Sequence, residues 1–144
     1  MPLPQVDGWL IDYRTAAAVY ESASNERIDH CTGMCEGGDL CFCSLEDKFF
    51  GGHDRLQPIF IEDNDCRIIP DNDVMSRTEH IMTLPFAKPF RVGGQSIVVI
   101  SAIAIARNFG IISDHTSDSF VTAADICAHY GVPVMTMDAF FDDL

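Results

Sequence analysis

Apolar runs and helical spacings succeed one another along most of the chain. Gly8-Trp9-Leu10-Ile11-Asp12 is a continuous apolar run closed by an acid and predicts a short buried strand. Residues 14–24 are Ala-rich, carry Val19 and Tyr20, and predict a helix. Cys41-Phe42-Cys43 predicts a second short strand. It runs into Ser44-Leu45-Glu46-Asp47, a capping-box pattern that opens a helix through Phe50. Pro58-Ile59-Phe60-Ile61 and Cys66-Arg67-Ile68-Ile69 are strand-like runs, with residues 62–65 as turn chemistry between them. Pro70-Asp71-Asn72-Asp73 starts a helix whose Val74, Thr78, Ile81 and Met82 fall at helical spacing before Pro85 stops it. Residues 85–94 hold two prolines and two glycines and read as a loop.

The final third is the most regular. Residues 95–108 form a helix rich in Ile, Val and Ala, apolar all round and hence central to the core, with Gly110 as its C-terminal cap. Gly110-Ile111-Ile112-Ser113 predicts a buried strand, and Ser117 caps a helix carrying Phe120, Val121, Ala124, Cys127 and Ala128. Gly131 ends that helix, residues 132–135 form another strand, and residues 138–144 a last helical turn. Strands alternating with helices predict an α/β fold with a mostly parallel central sheet flanked by helices.

A length of 144 residues implies one domain with a real core, and 47% apolar against 22% charged residues is a globular composition. The net charge of −13 argues against gripping nucleic acid by a broad basic face, but leaves room for a local patch, a metal site or a basic protein partner. The opening MPLPQVDGWL lacks a basic region and is interrupted by Pro2 and Pro4. The most apolar run, residues 97–106, is about half the ~20 residues that cross a bilayer. A soluble, cytoplasmic protein with no membrane association is expected, and its six cysteines are then free thiols or metal ligands rather than disulfides.

In open α/β sheets, sites lie at the carboxyl ends of the strands. Asp12 closes the first strand, Asp114 follows Ile112-Ser113, and Asp118 comes one helical turn later. Converging carboxylates provide hard oxygen ligands for Mg²⁺ or Mn²⁺, ions that activate water and clamp a phosphodiester. The competing reading makes them ordinary N-cap and turn acids.

The order of elements resembles the PIN-domain family of small α/β proteins, typically metal-dependent nucleases. Trp9-Leu10-Ile11-Asp12-Tyr13 is similar to the family's opening strand and first acid. Cys43-Ser44-Leu45-Glu46-Asp47 sits where the family has a strand and then a helix bearing a glutamate. Arg67-Ile68-Ile69-Pro70-Asp71 resembles the segment before its middle helices. The Ala/Ile helix, Gly110-Ile111-Ile112-Ser113-Asp114, Gly131-Val132-Pro133-Val134 and the Phe-rich terminus resemble its closing half. The resemblance covers nearly the whole chain, as a single PIN-like domain over residues 1–144.

It implies Asp12 as first metal ligand, Glu46 (or Asp47) as second, and Asp114, with Asp118, as the late acid. The family's acid near the start of the long helix is missing. Counting back from Gly110 reaches the apolar residues 97–99, and the nearest polar candidate is Gln95 in Gly94-Gln95-Ser96. An amide offers one neutral oxygen and no charge, so affinity for a divalent ion falls.

Residues 25–52 read as an irregular insert in which His30, Cys31, Cys35, Cys41 and Cys43 cluster. Thiolates and an imidazole at this range can close a tetrahedral Zn²⁺ site. The C-x3-C-x5-C-x-C spacing departs from the paired C-x2-C of zinc ribbons, and a redox pair or structural thiols compete with the metal reading, since Cys41 and Cys43 would share a strand face. Cys66 and Cys127 lie in regular elements and read as core. Of His53, His80, His115 and His129, only His115 adjoins a candidate acid.

Two functions follow. The first is the Mg²⁺- or Mn²⁺-dependent endoribonuclease that the resemblance implies for bacterial toxin modules. It would hold RNA weakly and answer to an antitoxin-like protein regulator, with a homodimer as a further assembly. The second is a catalytically degenerate PIN-like module that binds protein, with the Cys/His insert as a structural zinc knob.

Overall fold

The computed structural model describes residues 3–22, 24–64, 66–84, 95–114 and 123–144. Strand β1 (Gly8–Ile11) is buried along its whole length and occupies the middle of a five-stranded sheet. On one side it pairs with β2 (Leu40–Cys43), which pairs with β3 (Arg67–Ile68). On the other it pairs with β4 (Phe109–Ile112), which pairs with β5 (Val134–Met135). Every pairing is parallel, with Leu10 opposite Cys41 and Ile11 opposite Ile112. The three central strands can be apolar on both faces because helices cover both.

Alternation along the strands divides the core in two. Trp9, Ile11, Leu40, Phe42 and Ile112 face α1 (Tyr13–Ser22), α2 (Asn25–Glu36), α3 (Asp47–Gly51) and α7 (Met137–Asp142). Leu10, Cys41, Cys43 and Ile111 face α4 (Asn72–Thr83), α5 (Gln95–Arg107) and α6 (Ala123–Tyr130). Residues 98–104 of α5 are all buried, as its all-round apolar sequence predicts. The α4 helix begins at Asp71, whose carboxylate accepts the Val74 amide at 2.9 Å, and Gly131 takes the left-handed conformation that ends α6.

Three local expectations are corrected. Residues 25–36 are not irregular but form helix α2, capped by Ser24, with Cys31 and Cys35 as its buried residues. Its polar sequence hides the helix, because that narrow contact is its main claim on the core. Residues 57–63 form a wide π-type helical turn rather than a strand, with Phe60 turned inward. Asn108, at φ 56°, takes the left-handed position after α5 that Gly110 was expected to fill. Gly110 lies within β4 instead, where a Cβ would come within 2.4 Å of the Trp9 ring. The expected loop at 85–94, and Ser117 with the helix start it caps, lie outside the described residues. No helix among the described residues is long and apolar enough to cross a membrane.

Candidate functional site

The carboxyl edge of the three central strands gathers the predicted acids. Asp12 follows β1 and caps α1: its Oδ1 accepts the Thr15 amide at 2.8 Å, and its carbonyl accepts the Ala16 amide at 3.0 Å. Register with β4 places Ser113 next to Asp12, and the buried Ser113 hydroxyl donates to Asp12 Oδ2. The Asp114 amide donates to the Thr15 hydroxyl at 2.9 Å, while Asp114 Oδ1 accepts the Met137 amide at 2.8 Å. Asp12 and Asp114 are thus tied to one edge by Thr15 and Ser113, and Asp114 is the exposed member.

Glu46 enters from the neighbouring strand. A single 3-10 turn, Ser44–Glu46, carries it beyond β2, and its Oε1 accepts the Tyr13 amide at 3.3 Å. Asp47, the alternative second ligand, turns away to Arg67 at 2.7 Å. Of the two, only Glu46 reaches the first turn of α1, while Asp47 is engaged by the ion pair. Burial, and next the charge of Asp12, push the Glu46 carboxyl up to about 7, while its bond from the Tyr13 amide pulls the other way. None of these influences is a positive charge.

Asp12 and Glu46 both accept from the first turn of α1, where orphan amides and the helix dipole favour an anion. One carboxylate is enough for a cap. Two, with no cationic side chain among the described residues acting on Glu46, leave a like-charge strain that a hard divalent ion relieves, and their donor atoms are all oxygen. One oxygen of Asp47 is also buried without a hydrogen-bond partner among the described residues, beside the ion pair that its other oxygen makes with Arg67. The donor chemistry fits a divalent cation. As arranged, however, no three His, Cys, Asp or Glu side chains among the described residues stand close enough to share one ion. Asp118 and His115 lie outside the described residues, and Gln95 opens α5 as expected, its side chain also outside them.

The Cys/His set is not brought together. Cys31 and Cys35 belong to the core on one face of the sheet, Cys41 and Cys43 to the core on the other. His30 is exposed and lies against the rings of Phe140 and Phe141, at 6.3 and 5.5 Å. All six cysteines are buried and outside any disulfide, and burial pushes the thiols of Cys31 and Cys43 up to about 11. Cys66 and Cys127 are core residues, as their positions in regular elements suggest.

The positioning roles of Thr15, Ser113 and the Tyr13 amide emerge only from the structure, although the first two have a signal in the sequence. Thr15 stands three residues after a capping Asp, and Ser113 sits between the last strand residue and Asp114.

No family model and no curated protein matches the chain. Among solved structures it is similar to FitAcB from Neisseria gonorrhoeae, with a TM-score of 0.53 at 15% identity, over 90% of this chain and 97% of that one. At that identity the likeness speaks to architecture alone, and the architecture is the one the motifs resemble. The chain has a PIN-like fold, a single α/β domain built on an all-parallel five-stranded sheet.

Proposed function

We propose that this chain is a PIN-like, Mg²⁺- or Mn²⁺-dependent endoribonuclease of the toxin-module type, restrained by a protein partner. The observation that carries the reading is the Asp12–Glu46 pair at the carboxyl edge, with Glu46 raised to about 7 by burial and by its neighbour's charge. Structural carboxylates are normally placed where their charge is compensated, whereas uncompensated pairs mark functional edges. A bound divalent ion would supply an activated water and a clamp on the phosphodiester.

The chain's own contribution is positioning. Asp12 is held by Ser113 and by its own helix, Glu46 by the Tyr13 amide, and Asp114 by Met137 and Thr15, so the carboxylates are set before substrate arrives. The preference for RNA rests on the family resemblance. The likeness to FitAcB supports the toxin-module reading and the protein partner that goes with it.

The test is cleavage of labelled single-stranded RNA by purified protein with Mn²⁺, beside Asp12→Asn and Asp114→Asn. Cleavage is expected to need the metal and to fall at least about a hundredfold in Asp12→Asn, the scale of a lost electrostatic contact to the transition state. Cleavage surviving both substitutions belongs to a contaminant, and none under any metal overturns the enzyme.

One observation favours a second reading, a protein-binding module without catalysis. Both Asp12 oxygens already accept hydrogen bonds, and Gln95 stands where the family has an acid. The same assay separates the two. The zinc knob of that reading gains no support, because its ligands face opposite sides of the sheet.

A further inference from the structure

We propose that Tyr13 and Phe49 form a stacking seat for one base of single-stranded RNA, delivering the adjoining phosphate to the carboxylate edge. The idea deepens the nuclease reading and rests on it for the identity of the ligand. Tyr13 is the residue after Asp12, and its amide donates to Glu46 at 3.3 Å, so its ring springs from backbone that adjoins one carboxylate in sequence and the other through a hydrogen bond. That ring stacks on Phe49 with centroids 5.4 Å apart and planes 28° apart. Beneath, Tyr13 meets Phe50 edge-on at 5.8 Å, and Phe50 is fully buried and stacked on Phe42 at 4.3 Å. The aromatic column is therefore anchored in the core and surfaces at Phe49, which is 47% exposed. Core packing accounts for Phe50 and not for Phe49.

The surrounding charge selects the occupant. Lys48 holds its ammonium 5.2 Å from the centre of the Phe49 ring, and Arg14 is exposed on the first turn of α1. Lys48 stands at the aromatic pair and Arg14 follows Tyr13 in sequence, in a chain of net charge −13 where only such local contacts can hold a polyanion. A base can take the ring face while Lys48 moves to the adjoining phosphate. Stacking is uncharged, so it adds affinity that the acidic field does not cancel.

The test measures anisotropy of a short fluorescein-labelled single-stranded RNA with the full chain in EDTA, where metal-dependent cleavage is silent. Phe49→Ala is expected to weaken binding about tenfold, and Phe49→Trp to retain it with tryptophan emission quenched by RNA. An abasic site scanned along the RNA should weaken the native chain by a similar factor at one position, and leave Phe49→Ala unchanged there. A flat abasic scan overturns the seat even if Phe49→Ala proves unstable. So does undiminished binding by a folded Phe49→Ala, or no binding by the native chain, and Phe49 would then serve a protein contact. Because binding is read without metal, failure of cleavage with intact, Phe49-dependent binding overturns the nuclease alone.

Discussion

Glu46 is where pH acts on this molecule. Its carboxyl lies near 4.5 when unperturbed and about 7 in the folded chain, raised first by burial and then by Asp12. Between those values the folded protein keeps a proton that the unfolded chain has released. The contribution of Glu46 to stability is then fully present below about pH 4.5, is lost as pH rises through about 7, and is level above. In metal-free protein, Glu46→Gln should be more stable than the native chain by about 2 kcal/mol at pH 8 and equal to it at pH 4, measured by urea unfolding. An equal difference at both pH values would mean that Glu46 carries no such strain. Ser113 makes the complementary case. Its hydroxyl is buried against Asp12, so Ser113→Ala should cost about 2 kcal/mol in the same measurement, because a hydrogen bond to a charged acceptor is lost.

Among the elements, two glycines that look alike in sequence behave oppositely. Gly33 lies within α2 and faces open space, so Gly33→Ala should raise stability by up to about 1 kcal/mol through helix propensity. Gly110 lies in β4 beneath the Trp9 ring, where a Cβ would meet ring carbons at 2.4 to 2.9 Å. Gly110→Ala should destabilise by about 2 kcal/mol or more, since Trp9 is packed edge-on against Phe140 at 5.2 Å and has little room to move. Thermal melts of the two variants, shifting in opposite directions, check both. Two similar shifts would show that the β1–β4 contact is looser than its geometry. The α2 helix itself could not be read from its polar sequence. It is held by Ser24 and by two inward cysteines, and neither signal is visible until the sheet it packs on is known.

Across the whole molecule, the sheet is a partition. Cys31, Cys35 and Cys66 belong to one core, and Cys41, Cys43 and Cys127 to the other. Thiol titration with an aromatic disulfide reagent should therefore be slow in the native protein and reach six per chain only on unfolding. Rapid reaction of two or more thiols in the folded state would contradict the partition.

The parallel α/β plan, the acids Asp12 and Asp114 at strand ends, and the buried helix α5 were legible in the sequence, whereas α2 and the helical turn at 57–63 were not. Each legible feature is written in local apolar periodicity and in the residue that closes a run. Which carboxylate joins Asp12 was not legible, because Glu46 and Asp47 are adjacent and only the place of Arg67 on β3 draws Asp47 aside. The cysteines were misleading for the same reason. Spacing measures distance along the chain, and a crossover helix can put near neighbours in sequence on opposite faces of a sheet. The sequence by itself determined the elements with a clear apolar pattern and their closing acids, since backbone preference and burial period act over a few residues. Only the tertiary structure decided which side chains meet, since that depends on strand register and on which face each helix covers.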